Sequence, residues 1–269
     1  SADIWHRRLG HLNQRSMDIL RQQKGTGVEY QDKPSPCDVC EIAKHEQISH
    51  PKKTTRKLSR PGRLVYIDNM GPIEPPARSK GGTFSYVMKE VFLLRHKTET
   101  TEALHAYNMQ VAAAGGYHIE IMRCDKGGEN TGEEFRAYRK ESGIKIEYAA
   151  TNIPQQIGVS ERDSQTLVGI TRCLLRDGDF PPFMWGELML TAAYLANRSP
   201  HSMLGGATPY SRMYIKTPDL SRLRVIGARA FVHHERYKKK LEDAAFEGKL
   251  CGFGLDSKTY RVHNPSNDL

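Results

Sequence analysis

Two histidines and two cysteines near the start constrain this chain more than anything else in it. His6 and His11 are followed by Cys37 and Cys40, in the spacing H-x4-H-x25-C-x2-C. Zinc takes four nitrogen or sulfur ligands in a tetrahedron, and a two-residue gap lets both thiolates of a Cys-x-x-Cys knuckle face one ion. Five positions along an ideal helix turn through about 140°, so the two imidazoles cannot share one helical face. His6 is therefore expected in the turn before a helix and His11 on its first turn. Few residues of this span are hydrophobic enough to build a core alone, which argues for folding coupled to metal. His45 and His50 lie beyond the knuckle and read as linker. The competing reading is two surface histidines and a chance cysteine pair.

The rest of the chain is too long for one domain. Its 269 residues predict two or three, and 38% hydrophobic with 26% charged residues leaves room for a sizeable core. Forty Lys and Arg against 31 Asp and Glu give a net charge of +9, which attracts polyanions, nucleic acid foremost. There is no run of 18 apolar residues, so no membrane span is expected. The opening Ser1-Ala2-Asp3-Ile4 is not a signal peptide and lacks Met, as expected of an excised fragment. Five cysteines are an odd number, so a disulfide framework is not expected and a reducing, intracellular compartment fits.

Residues 43 to 63 form a polar, basic connector with Lys52, Lys53, Arg56 and Lys57, read both as a solvated linker and as an arm contacting phosphate. From Leu64 the pattern becomes strands and helices in alternation. Strands are predicted at 64–68, 84–88, 91–94, 119–124 and 144–149. Helices are predicted at 98–114, closed by Gly115-Gly116, at 131–140, closed by Gly143, and at 160–176 and 184–197. Such an order predicts a mixed sheet covered on both faces. Trp185 reads as a core anchor, and Cys124, Cys173 and Cys251 as buried fillers. The tail is strand-rich, with candidates at 224–225, 230–233, 249–253 and 260–262, and suggests a small barrel.

Three acidic residues are placed for chemistry. Asp68 ends the first core strand, Asp125 follows the strand 119–124, and Glu161 opens the helix after Pro154. Carboxylates at strand ends and a helix start can converge on one sheet edge. There they can hold two Mg²⁺ ions about 3.5–4 Å apart for in-line phosphoryl transfer.

Three blocks carry more than spacing. Asp68-Asn69-Met70-Gly71-Pro72, Arg123-Cys124-Asp125-Lys126-Gly127-Gly128-Glu129 and Pro154-Gln155-Gln156-Ile157-Gly158-Val159-Ser160-Glu161-Arg162 resemble the signature blocks of copia-type retrotransposon integrases. Thirty-five residues separate Asp125 from Glu161, the spacing that family shares. Trp5-His6-Arg7-Arg8-Leu9-Gly10-His11 resembles its zinc domain, and Ala193 to Pro200, Leu223 to Gly227 and Tyr260-Arg261-Val262 also match. The resemblance implies a multidomain α+β chain. Residues 1–48 would be a small helical zinc-binding head of the GAG-pre-integrase kind, and 49–63 a basic linker. Residues 64–204 would be an RNase H-like core, and 205–269 an SH3-like β-barrel. It implies Asp68, Asp125 and Glu161 as a triad for Mg²⁺ or Mn²⁺, with His6, His11, Cys37 and Cys40 as ligands of a structural Zn²⁺. Lys126 and Arg162, inside the signature blocks, join the linker cations as nucleic-acid contacts. The activity implied is integration: a cDNA 3′-hydroxyl attacks a target phosphodiester. Double-stranded DNA and a homo-oligomer are the implied partners, with no membrane. The implied location is the nucleus, with a cytoplasmic virus-like-particle stage.

The chain departs from the family pattern in places. The hairpin Phe84 to Leu94 is short, with Lys89-Glu90 at its turn and no Gly or Asn, so strain or a shifted register is expected there. Asp163 follows Glu161 where the family favours basic and amide side chains, and extra negative charge weakens phosphate binding. Asn130 and Ile157 also differ from the usual residues. These changes keep open an alternative reading, a catalytically inactive or domesticated remnant that binds nucleic acid. The zinc head and tail disfavour a third, a nuclease cutting RNA–DNA hybrids.

Overall fold

The computed structural model describes residues 1–44, 60, 62–79, 82–88, 92–124, 132–148, 154–233, 243–254 and 259–266. Three short helices form the head: α1 (Ala2–Arg8), α2 (Gln14–Gln22) and α3 (Asp38–Ala43). Asn13 caps α2, its side chain accepting from Ser16 N–H at 2.9 Å. Of the basic connector, residues 45–59 and 61, with Lys52, Lys53, Arg56 and Lys57, lie outside the described residues.

The central sheet starts from a single run of chain. β1 (Leu64–Tyr66) pairs in parallel with β7 (Ile121–Cys124), and β7 in parallel with β8 (Lys145–Tyr148). After a break at Ile67-Asp68 the same run continues as β2 (Asn69–Met70). This pairs antiparallel with β5 (Tyr86–Met88), itself antiparallel to β6 (Phe92–Leu94). The parallel strands β1-β7-β8 and the antiparallel strands β2-β5-β6 thus form two three-stranded sheets joined through this run, where one mixed sheet was predicted. β3 (Ala77–Ser79) and β4 (Gly82–Phe84) form a separate hairpin. The predicted strand 84–88 is thus two strands divided at Ser85, whose N–H reaches Leu94 O.

Two-residue periodicity explains how both faces are covered. Met88 joins Val65, Ile67, Leu94, Leu104, Met122, Cys124 and Phe135 on one face. There α4 (Thr100–Gly115) and α5 (Glu133–Ser142) pack. Its neighbour Val87 points the other way, into Ala77, Trp185 and Met189. Trp185 is the buried anchor predicted, its indole N–H bonded to Pro75 O at 2.9 Å. Both α4 and α5 end on left-handed glycines, Gly116 and Gly143, as read from sequence.

Regular pairing in the short hairpin corrects the expectation of a shifted register. Tyr86, Val87 and Met88 face Leu94, Leu93 and Phe92 without a shift. The expected strain at Lys89-Glu90 falls on residues 89–91, which lie outside the described residues.

Two long helices follow, α6 (Pro154–Asp177) and α7 (Trp185–Asn197), and then the short α8 (Pro209–Tyr214). α6 begins six residues before the predicted Ser160, so Glu161 does not open it but sits about two turns inside. Proline is well suited to a first helical position, because its missing N–H would go unused there. The tail is a three-stranded antiparallel sheet in the order β11 (Tyr260–His263), β10 (Ala245–Phe253), β9 (Arg229–His233). The predicted strand at Arg224-Val225 does not form. Leu220, Leu223 and Ile226 recur every third residue and plug the core through turns instead. Among the described residues no helix is long and apolar enough to cross a membrane.

One hydrophobic cluster unites distant parts of the chain. Trp5, Leu9, Met17 and Leu20 of the head pack with Leu174 of α6 and Leu188 and Leu195 of α7. Leu250 and Phe253 of the tail sheet join them.

Candidate functional site

The four head residues meet at one point. Gly10 and His11 both adopt left-handed backbone, with φ of 67° and 61°. This folds the chain back so that His11 N–H bonds His6 O at 2.7 Å. The placement differs from the sequence reading: His6 lies within α1, and His11 lies after it in the turn. Rotation along a helix therefore never separates the imidazoles, because only one of them is on a helix. Cys37 is the N-cap of α3 and Cys40 lies on its first turn, so a single helical turn brings both sulfurs to one side.

The distances form a polyhedron. His6 Nε2 is 3.2 Å from His11 Nδ1 and 3.3 Å from Cys40 Sγ. His11 Nδ1 is 3.4 Å from Cys37 Sγ and 3.5 Å from Cys40 Sγ. Ordinary Zn–N and Zn–S bonds imply tetrahedral edges of about 3.3–3.8 Å, so these edges fit one zinc ion. All four donor atoms lie within 4.8 Å of one another, the one such His/Cys/Asp/Glu group among the described residues.

Protonation follows from the surroundings. His6 Nδ1 is 2.8 Å from Leu12 O. A carbonyl only accepts, so Nδ1 carries the proton and Nε2 faces the cluster with its lone pair. Burial is the main reason the His6 pKa is held below its ordinary value, which favours the neutral ligand form. Burial likewise pushes the Cys40 thiol up to about 12, with Lys44 pulling against it. A metal would have to supply the charge that turns such a thiol into a ligand.

Sequence reasoning missed what surrounds the cluster. Asp177, the last residue of α6, receives Arg7 Nε at 3.0 and 2.9 Å on its two oxygens. Its Oδ2 lies 3.7 Å from His11 Nε2. Burial pushes the Asp177 carboxyl up, but His11 and Arg7 outweigh it and hold it low. Lys44 Nζ donates to His11 O at 2.6 Å. Cys173, also on α6 and fully buried as predicted, sits 3.9 Å from Val39 O of α3. No local signal announces these partners, since Arg7 and Asp177 are 170 residues apart.

The acidic trio is placed only in part. Asp68 is half-buried in the break between β1 and β2. Ile67 N–H bonds Arg123 O at 2.8 Å, so the β1–β7 pairing extends right up to Asp68. β7 ends at Cys124, and Asp125 and Lys126 lie outside the described residues. The backbone of Glu161 is in α6, but its side chain lies outside what is described. Arg162 is exposed on the same helix. Near the sheet edge, Arg60 and Arg63 both pair with Glu120, at 2.5 and 2.9 Å.

With this geometry established, the relatives become informative. Residues 1–45 match the GAG-pre-integrase domain family. The chain is a relative of the retrovirus-related Pol polyproteins of copia-type transposons. It is 33% identical over 98% of its length to the Pol polyprotein of transposon TNT 1-94 from Nicotiana tabacum, and 24% identical over 98% to that of transposon RE2 from Arabidopsis thaliana. It spans about a fifth of the length of these polyproteins, 20% and 18%. Among solved structures, the HTLV-2 integrase catalytic core in complex with magnesium is 16% identical, with a TM-score of 0.41. That likeness covers 58% of this chain and 99% of that one. A simian T-cell lymphotropic virus intasome chain is 12% identical with a TM-score of 0.45, covering 85% and 84%.

Proposed function

We propose that this chain is a retrotransposon integrase, joining element cDNA 3′ ends to target DNA. The observation that carries this reading is the 33% identity to a plant Pol polyprotein over 98% of the chain. In this reading residues 64–204 are an RNase H-like core, residues 1–48 a zinc head, 49–63 a basic linker, and 205–269 an SH3-like domain. The three-stranded antiparallel tail sheet is compatible with part of such a barrel. The head would hold structural Zn²⁺ through His6 Nε2, His11 Nδ1, Cys37 Sγ and Cys40 Sγ. Its ligand edges support this reading.

Asp68, Asp125 and Glu161 would hold Mg²⁺ or Mn²⁺. When bound, such a cation pair supplies activation of the attacking oxygen and charge stabilisation of the leaving one. The chain's own part is positioning. Asp68 directly follows the β1–β7 ladder and the backbone of Glu161 lies in the long α6, so both residues are carried by regular elements that could position them. The reaction is an exchange: a new P–O bond forms to the cDNA 3′ oxygen as the target's P–O3′ bond breaks. Lys52, Lys53, Arg56, Lys57, Lys126 and Arg162 are assigned to phosphate contacts along double-stranded DNA. Two ends to be joined call for a homo-oligomer. The nucleus, after a cytoplasmic particle stage, is the proposed location.

A strand-transfer assay tests this. The protein is given a short cDNA-end duplex and a supercoiled plasmid with Mg²⁺ or Mn²⁺, beside Asp125→Asn. Joined product that the variant loses, with DNA binding kept, is the expected result. Joining retained by Asp125→Asn would refute the triad. A folded, DNA-binding wild type that joins nothing would point to an inactive remnant.

A further inference from the structure

We propose that Asp177 is the outer partner of His11, through which metal held in the head locks the head onto α6. The inference rests on the zinc-head reading above and extends it to a residue of the core's long helix.

The argument starts from the His11 proton. Its Nδ1 belongs to the ligand cluster, 3.2–3.5 Å from three other donor atoms. A neutral imidazole bound through Nδ1 must carry its proton on Nε2. That nitrogen is buried, with His11 only 2% exposed, and it has no hydrogen-bond partner within range. A buried N–H left unmatched is costly. Asp177 Oδ2 stands 3.7 Å away, and a shift of about 1 Å would bring it to hydrogen-bonding distance. Metal-bound histidines commonly donate their second N–H to a carboxylate or a backbone carbonyl, which fixes ring orientation and strengthens the ligand. His6 already has its carbonyl in Leu12. His11 lacks one, and Asp177 supplies the carboxylate.

The same carboxylate is held from its other side. Arg7 of α1 binds both oxygens, so Asp177 is tied to the helix that carries His6. Cys173, one turn earlier on α6, packs against the backbone of α3, which carries Cys40. Elements carrying ligands therefore rest on the last two turns of α6, whose backbone also bears Glu161 sixteen residues earlier, about 24 Å along a straight helix. Ligation orients the His11 ring, the ring N–H engages Asp177, and the head is fixed to the core helix. Asp177 is thus a positioning residue, acting through His11.

The test uses the full chain and Zn²⁺ alone. Zinc affinity is measured by competition with a chromophoric chelator for wild type, Asp177→Ala, Asp177→Asn and Arg7→Ala. The Co²⁺-substituted absorption spectrum is recorded for each. Asp177→Ala is expected to weaken zinc by 10- to 100-fold and to shift the Co²⁺ bands. Asp177→Asn is nearly isosteric, keeps a carbonyl acceptor, and is expected to lose about tenfold. It carries the test if Asp177→Ala does not fold. Arg7→Ala removes the Arg7–Asp177 pair but leaves the acceptor for His11, and is expected to keep zinc affinity within about threefold of wild type. Equal losses in Arg7→Ala and the Asp177 variants would reduce Asp177 to a surface ion pair and overturn the proposal. Unchanged affinity and spectra in both Asp177 variants would also overturn it. A wild-type chain that binds no zinc would instead remove the zinc-head reading itself.

Discussion

Replacing Gly10 by alanine tests whether the head and the core are one folded body. Gly10 sits at φ 67°, where an L-residue costs about 1–2 kcal/mol. Its added Cβ would lie 3.0 Å from Leu195 Cδ1 of α7 and 3.1 Å from Ile170 Cγ2 of α6. Both are side-chain ends that can yield by a few tenths of an ångström, so the packing cost belongs at the low end of overpacking, about 1 kcal/mol. The total is about 2–3 kcal/mol. Gly25 provides the control. It has φ 85° with nothing within 4 Å of an added Cβ, so Gly25→Ala carries only the backbone cost of about 1–2 kcal/mol. At about 2–4 °C per kcal/mol for a chain near this size, Gly10→Ala should lower the melting temperature of the zinc-loaded protein by about 4–12 °C. Gly25→Ala should lower it by about 2–8 °C. Differential scanning calorimetry on both variants, prepared side by side, reads the difference. A single transition shifted further by Gly10→Ala is the expected outcome. Equal shifts would refute the packing of Gly10 on α6 and α7. A separate small transition moving alone would refute the shared core.

Thiol chemistry and pH supply two more checks. None of the five cysteines is in a disulfide, and Cys124, Cys173 and Cys251 are buried, with the Cys251 thiol pushed up to about 12 by burial. Zinc-loaded native protein should therefore resist alkylation, and chelation should open Cys37 and Cys40 alone, giving two labels by mass spectrometry; rapid labelling of these two with zinc present would contradict the head geometry. The Tyr30 phenol bonds Asp18 at 2.8 Å, and burial, then Asp18, raises its pKa to about 12. The folded state holds this proton more tightly than an unfolded chain titrating near 10, so the stabilisation is complete below pH 10 and is lost as pH climbs toward 12. Urea titrations of wild type and Tyr30→Phe should converge across that window, and a constant difference would show the phenol unperturbed.

Local chemistry made much of this fold legible, and long-range contact made the rest invisible. Gly116 and Gly143 end α4 and α5 where they were expected, because a helix stop is written in one residue. The order of strands and helices likewise foretold a sheet with two covered faces, which Val87 and Met88 bear out by packing to opposite sides. The gathering of His6, His11, Cys37 and Cys40 was readable from spacing, but its backbone path was not, since two consecutive left-handed residues at Gly10 and His11 lie outside helical geometry. The start of α6 lies earlier than the predicted residue 160, at Pro154, a residue suited to a first helical position. Asp177 had no readable signal at all. Among 31 acidic residues, only the docking of a helix 170 residues distant from Arg7 singles it out.

That separation also sets a schedule. Leu9, Met17 and Leu20 bury themselves against α6 and α7, segments that a ribosome reaches only after most of the chain has been made. At roughly 5–20 residues per second, the 170 residues between Arg7 and Asp177 take about 10–30 s to emerge. Throughout that interval the head has its four histidine and cysteine donors but not the surface it rests on. Zinc capture by a newly made head would then come before docking, leaving the head a pre-assembled module that waits for its partner helix.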